Sequence, residues 1–304
     1  RTTPSITILI IADNASQKHY SVNIATFECY AHLQGYRIEV LGISPTCLSS
    51  TLGFFFQKQC VVHEQMVGSH GSEWFMVLDA DVAVVNPNHR IEDYLDDSKE
   101  VVHFLRFHNN EVMAGGYIVH NAQWGRSYLK EWSGLHPGAK EQHGYSGMNA
   151  DNGALHWMLL HRLAGPMTPG WTECEGHGRS GKNYAVFVTC FHQVAARTGC
   201  SGLDWSHIAI LPHGQAWMYD GWVTHYKWGD RTFMHHAMKN PPIASHNGRI
   251  MPSFECSTFK TRTDEYRVEE AVLNAEFSTT RAHERAKHRV RGWNETSCLQ
   301  RELT

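Results

Sequence analysis

The sequence predicts an α/β fold, with a Rossmann-like, mainly parallel central sheet and flanking helices, from three observations. Apolar runs of strand length alternate with stretches of helical periodicity through the first half of the chain. A strand, a helix and a second strand follow one another within residues 6–41. A third apolar run ends on two aspartates, and the carboxyl ends of the strands are where open α/β sheets place their ligands.

The run Ile6 to Ala12 reads as a buried first strand, ending in the polar turn Asp13-Asn14-Ala15-Ser16. Helical spacing then extends from about Tyr20 to Gln34 and closes at Gly35, before a second strand at Tyr36 to Leu41. No Gly-x-Gly-x-x-Gly follows the first strand, so the dinucleotide-binding fingerprint is missing where it would stand. A helix is expected over Phe54 to Val67 and a third strand over Trp74 to Leu78, delivering Asp79-Ala80-Asp81 to its carboxyl end. A helical turn at Ile91 to Leu95 and a strand at Val101 to Leu105 complete this half. After about residue 165 the periodicity weakens and Gly, Trp, His and Cys become dense. Extra strands, long loops and one helix at about Glu265 to Glu276 are expected there. With no repeat or low-complexity linker, one elaborated domain is expected at 1–250, with a nucleotide-binding half at about 1–120 and an acceptor half at about 121–250. Residues 251–304 form an irregular C-terminal extension packed on it.

Composition narrows the function classes. A net charge of −3 over 304 residues lacks the basic excess of a nucleic-acid binder. The 22 histidines make the charge strongly dependent on pH below about 6.5. Eight scattered cysteines without a Cys-x-x-Cys pair favour disulfides over a metal cluster. Together with the sequons at Asn14 and Asn294 they point to the lumen of the secretory pathway. No run approaches the roughly 20 apolar residues of a membrane span. The chain opens Arg1-Thr2-Thr3-Pro4, so any membrane association is expected only through an anchor upstream of it.

The chemistry concentrates on Met76-Val77-Leu78-Asp79-Ala80-Asp81-Val82. Two carboxylates two residues apart at a strand end can turn toward one ion, and hard oxygen ligands suit Mn²⁺ or Mg²⁺. Such an ion neutralises a diphosphate. A bare Asp-x-Asp is usually a solvated loop; the five-residue apolar strand before it and Val82 to Pro87 after it raise its specificity.

With Phe56-Gln57-Lys58 upstream, this block resembles the galactosyl- and xylosyl-transferase family that includes fungal α-galactosyltransferases and plant xyloglucan xylosyltransferases. It is still more similar to an uncharacterised nematode family, through Phe55-Phe56, Lys58, Cys60, Asp79 to Asp81 and Asn86-Pro87-Asn88-His89. A second block, Met113 to Trp124 followed by Ala150-Asp151-Asn152-Gly153-Ala154-Leu155, matches in order and spacing. A third, Asp230 to Lys239, is similar to the nematode-family segment that ends the likeness.

The resemblance implies a GT-A fold and a retaining, metal-dependent transfer of a hexose, galactose, from a UDP-sugar to a glycan or glycoprotein acceptor in the Golgi. It implies Asp79, Asp81 and His236 as metal ligands, with His235, His213 and His246 as rivals for the third place. Ala12, Asp13, Lys58, Ala80, Gly115, Gly116 and Lys239 complete the nucleotide-sugar-binding set, and Asp151 and Asn152 face the transferring sugar as the catalytic pair. Asn152 stands where the relatives usually carry Gln. With no carboxylate placed for a covalent intermediate, a front-face reaction is expected, in which the leaving phosphate takes the acceptor proton. Two other classes compete: a carbohydrate-binding protein of the same fold without turnover, and a metal-dependent hydrolase. The aromatic segment Trp217 to Trp222 is balanced between acceptor stacking and core, and the basic run Arg281 to Arg291 reads as a solvated helix face.

Overall fold

A computed structural model describes residues 4–48, 53–69, 71–199, 203–238, 256 and 267–288, with side chains of the last helix to residue 283. The elements run β1 (Ile6–Ile11), α1 (Asn14–His19), α2 (Ser21–Gln34), β2 (Arg37–Leu41), α3 (Phe54–Gly68), β3 (Trp74–Leu78), β4 (Ala83–Val84), β5 (Val101–Phe104), β6 (Gly116–His120), α4 (Gln123–Gly134) and α5 (Lys140–His143). They continue with α6 (Ala150–Leu163), α7 (Trp171–Ser180), α8 (Tyr184–Arg197), β7 (Ile208–Leu211), β8 (Met218–Asp220), β9 (Met234–His236) and α9 (Glu270–His288).

The main sheet has the order β2-β1-β3-β6-β5-β7 and is mainly parallel, with β6 inserted antiparallel between β3 and β5. Strands β1 and β3 are buried along their whole length, which explains their unbroken apolar runs. Their side chains alternate between two cores. Leu9, Ile11, Phe75 and Val77 pack with residues of α3, α4, α6 and α8 on one face. Ile8, Ile10, Met76 and Leu78 pack with α2 and with a small sheet, β4-β9-β8, on the other.

Several expectations shift. The turn after β1 is the first turn of a helix, because the Asp13 carboxylate caps it by accepting from Ser16 N–H at 2.7 Å. Asn14 of the first sequon is exposed there; Asn294 lies outside the described residues. The expected loops after residue 165 include two helices, α7 and α8. Gly176 and Gly178 weaken the helical signal of α7, but tertiary packing supplies it: a Cβ on Gly178 would come within 2.6 Å of Trp157. The C-terminal helix begins at Glu270 rather than Glu265 and runs through the first part of the basic stretch, where Ala282 and His283 are exposed. Its Leu273 and Phe277 are buried, Phe277 stacking on Phe107 with ring centroids 3.5 Å apart.

Disulfides join Cys29 to Cys256 and Cys47 to Cys60, while Cys174 and Cys190 are thiols. Cys200 and Cys298 lie outside the described residues. Among the described residues no helix is long and apolar enough to cross a membrane.

Candidate functional site

The two blocks that stand apart in sequence meet because β6 runs antiparallel to β3. Gly116 is in register with Leu78, so the start of β6 lies against the end of β3. Asp79 N–H donates to the Gly115 carbonyl at 2.9 Å. The contact tolerates no side chain at 115: a Cβ there would lie 2.5 Å from Asp79 Oδ2 and 2.4 Å from Met113 Cε. Gly116 is similarly confined, its missing Cβ 2.7 Å from Met218 Cε. Gly115→Ala is therefore expected to displace the Asp79 carboxylate. Misplacing a reacting or binding group by about 1 Å costs on the order of 100-fold in turnover. The measurement is turnover beside a melting curve, and unchanged turnover with a lower melting temperature would make the glycine purely structural.

The small sheet brings in the third group. Strand β4, directly after the aspartate pair, pairs antiparallel with β9, matching Ala83 to His235. Met238 N–H then donates to the Asp81 carbonyl at 2.8 Å, and Asn23 of α2 donates to the Met238 carbonyl at 3.1 Å. His236 consequently projects toward Asp81, its Nε2 3.6 Å from Asp81 Oδ1. Ligand atoms of Asp79, Asp81 and His236 all lie within 4.8 Å of one another.

Strand β8 pairs parallel with β9 and puts Asp220 opposite His236. Asp220 Oδ1 accepts from His236 Nδ1 at 2.8 Å, leaving Nε2 facing Asp81. A carboxylate behind a histidine in this manner fixes its tautomer and raises its basicity. Burial opposes charge on His236, but the hydrogen bond and charge of Asp220, with the charge of Asp81, outweigh it and raise its pKa. Asp220 is itself buried; Arg106, His108 and His236 overcome that penalty and hold its carboxyl well below the usual range. Sequence reasoning missed Asp220, whose only signal was its place at the end of a short apolar run.

Lys58, on α3, is buried and reaches two carboxylates, with Nζ 2.7 Å from Asp79 Oδ1 and 3.6 Å from Asp151 Oδ2. Burial lowers the Lys58 pKa, yet Asp79 and Asp151 more than offset this and raise it. Burial pushes the Asp151 carboxyl up to about 6, against the pull of Lys58 and with the help of Asp79's charge. One ammonium thus serves two carboxylates. It occupies Oδ1 of Asp79 and leaves Oδ2 toward Gly115.

The remaining expected residues divide. Ala12 ends β1, its carbonyl accepting from Gln17 at 2.8 Å, and Asp13 is exposed but engaged as a helix cap. Ala80 is buried between the two aspartates. Asn152, in the first turn of α6, accepts from Ala114 N–H through Oδ1 at 3.0 Å, so one end of its amide holds the bend that leads to Gly115. Among the rival histidines, His235 is fully buried, with its pKa pushed by burial down to about 4. His213 bonds the Asn109 carbonyl at 2.7 Å. Lys239 and His246 lie outside the described residues. The aromatic segment splits as well: Trp217 is fully buried, whereas Trp222 is 42% exposed and rests edge-on against His108.

The donor set is chemically coherent for a small divalent ion: two carboxylate oxygens and one imidazole nitrogen, converging, with a third carboxylate, Asp220, behind the imidazole. The position at the carboxyl ends of β1 and β3 is that of a ligand crevice in open sheets.

A family model described as a protein of unknown function, DUF273, matches residues 27–251. No curated protein matches the chain. Solved structures similar to it include a glycosyltransferase involved in the glycosylation of the major capsid of PBCV-1, at 21% identity, covering 43% of this chain and 67% of that one with a TM-score of 0.36. The catalytic domain of Drosophila β1,4-galactosyltransferase 7 in complex with xylobiose is similar at 14% identity, over 43% of this chain and 52% of that one, with a TM-score of 0.30. The glycosyltransferase GlyE of Streptococcus pneumoniae TIGR4 is similar at 10% identity, over 91% of this chain and 64% of that one, with a TM-score of 0.38. The chain thus spans about half the length of the Drosophila structure.

Proposed function

The chain belongs to the DUF273 family, whose function is unknown, and from the geometry of its site we propose that it is a metal-dependent glycosyltransferase of GT-A type. The observation that carries this reading is the convergence of Asp79, Asp81 and His236 at the carboxyl end of the central strands. Mn²⁺ or Mg²⁺ bound there would offset the charge of a nucleotide diphosphate and favour its departure. The donor in this reading is a UDP-sugar, with galactose as the hexose moved, and the acceptor is a glycan or glycoprotein. Sugar, nucleotide and acceptor follow from the family resemblance of the sequence blocks.

The chain's own residues supply positioning. Asp79 Oδ2, Asp81 and His236 Nε2 hold the diphosphate side, with His236 oriented by Asp220. Gly115 keeps bare backbone beside Asp79, and Gly116 does so beside Leu78 and Met218. Lys58 holds Asp79 and Asp151 in fixed relation. Asn152 and Asp151 lie on the sugar side, and Lys239 is the cation proposed for the leaving phosphate. Asp151 is buried and its carboxylate is held 3.6 Å from the Lys58 ammonium, which competes with attack by it and so favours the front-face, retaining reaction. A sugar trapped covalently on Asp151 and seen by mass spectrometry would overturn that mechanism. Residues 1–250 form the catalytic unit in this reading, and the two disulfides agree with a luminal setting such as the Golgi.

Thermal-shift measurements with UDP, with and without Mn²⁺, test the proposal directly. A ligand at 100 times its Kd adds about 2.7 kcal/mol to native stability. For a chain of this size that corresponds to a rise of roughly 4 °C. The rise is expected only with metal and nucleotide together; no metal-dependent shift with any nucleotide would sink the reading.

A further inference from the structure

A buried polar chain leads away from Asp220 to a strained turn that the proposed reaction leaves unexplained. Arg106 donates to Asp220 through Nε at 3.0 Å and through a second guanidinium nitrogen. Its third nitrogen donates to Glu111 Oε2 at 2.6 Å. The other oxygen of Glu111 accepts from Asn149 Nδ2 at 3.0 Å and from the Tyr184 hydroxyl at 2.7 Å. Tyr184 also approaches His156 Nδ1, which contacts the Asn152 carbonyl at 2.7 Å. Asp220, Glu111 and His156 are all buried.

The far end of this chain is conformationally unusual. Asn149 and Ala150 have φ of 56° and 46°, two consecutive non-glycine residues in the left-handed region immediately before Asp151 and Asn152. Such a backbone persists only where its surroundings over-determine it, and it tends to accompany functional sites. Here the surroundings are Glu111 on Asn149, the Tyr145 hydroxyl on the Met148 carbonyl, and Gly153, whose missing Cβ would lie 1.9 Å from that carbonyl. The strain fixes where α6 starts and therefore how Asp151 and Asn152 are presented.

We propose that Glu111 and Arg106 are positioning residues that tie the metal-side imidazole of His236, through Asp220, to the strained turn presenting Asp151 and Asn152, so that the metal and sugar halves of the site are set as one unit. This rests on the function proposed above. Neither residue is placed to touch the metal; both act through other side chains. Arg106 is the shared element, because its planar guanidinium spans two carboxylates with fixed geometry.

The test is the Mn²⁺ dissociation constant at saturating UDP, read from the free-ion electron paramagnetic resonance signal. Glu111→Gln keeps the shape and is expected to weaken Mn²⁺ by about tenfold, the scale of outer-shell changes at metal sites. Asp220→Asn is expected to do at least as much, and the double variant should bind no more weakly than Asp220→Asn alone. Asn149→Ala, three side chains removed from His236, should weaken Mn²⁺ by about threefold, the worth of one hydrogen bond. Unchanged affinity in Glu111→Gln and Asn149→Ala, or additive losses in the double variant, overturns the linkage while leaving the function standing. No UDP-dependent Mn²⁺ binding by the unaltered protein overturns both. If Glu111→Gln fails to fold, Tyr184→Phe, which removes one donor from Glu111, is read in its place, and unaltered affinity there is equally fatal.

Discussion

Asp81→Ala is expected to lower turnover by on the order of a thousandfold and to erase the Mn²⁺-dependent response to UDP, while the fold survives. The loss is large because the site offers only three converging ligand atoms among the described residues. Two would remain, one of them on Asp79, which already carries Lys58 on its other oxygen. The fold should survive because the structural contribution of residue 81 is its backbone carbonyl, which accepts from Met238 N–H and is kept by alanine. Its side chain lies between the Asp79 carboxylate, which repels it, and the His236 imidazole 3.6 Å away, which attracts it, so the two effects of removing it oppose each other. The melting temperature of the metal-free variant should therefore stay close to that of the unaltered protein. Retained turnover would reduce the motif to a loop, and a collapsed melting curve would mean that the carboxylate is structural.

Acid is expected to weaken the protein before its ordinary carboxylates are titrated. Burial pushes His103 and His192 down to about 3 and His235 down to about 4, from an ordinary 6.5. The unfolded chain then takes up protons that the native state refuses. Stability from these groups is complete above pH 6.5 and is lost as pH falls toward their folded values. Between pH 7 and pH 5 each loses about 2 kcal/mol, or roughly 6 kcal/mol for the three. Asp151 works the other way: raised to about 6, it binds a proton in the native state first and returns about 1.4 kcal/mol by pH 5. His236, raised as well, adds to that return. A net loss of roughly 4 kcal/mol is a large share of the usual 5–15 kcal/mol. Urea unfolding at the two pH values measures it, and an identical midpoint would show that these imidazoles are not buried neutral.

How much of this was legible beforehand depends on the distance over which each feature is decided. Strands β1 and β3 fell within a residue of expectation because a strand buried on both faces needs an unbroken apolar run, and the half-buried edge strand β2 did so from its place just after the helix that closes at Gly35. Helix α3 was equally clear. Helix α7 was not, because Gly178 is set by its close contact with Trp157 and Phe187 rather than by helix propensity, and Gly176 weakens the local signal further. At the site, the aspartate pair could be read from its strand context, and Lys58, Gly115, Asp151 and His236 from ordered blocks that resemble known transferases. Asp220, Arg106 and Glu111 could not. They lie in short segments without periodicity, and each acquires meaning only from a partner more than a hundred residues away or across an isolated turn.

By itself, then, the sequence determined the α/β class, the buried central strands and the placement of two carboxylates at a strand end, since all three are encoded in hydrophobic pattern over a few residues. Tertiary structure decided that β6 would run antiparallel and seat Gly115 against Asp79, and that β4, β9 and β8 would align Asp81, His236 and Asp220. Strand register is set by the packing of whole faces, and neither partner's local sequence contains it.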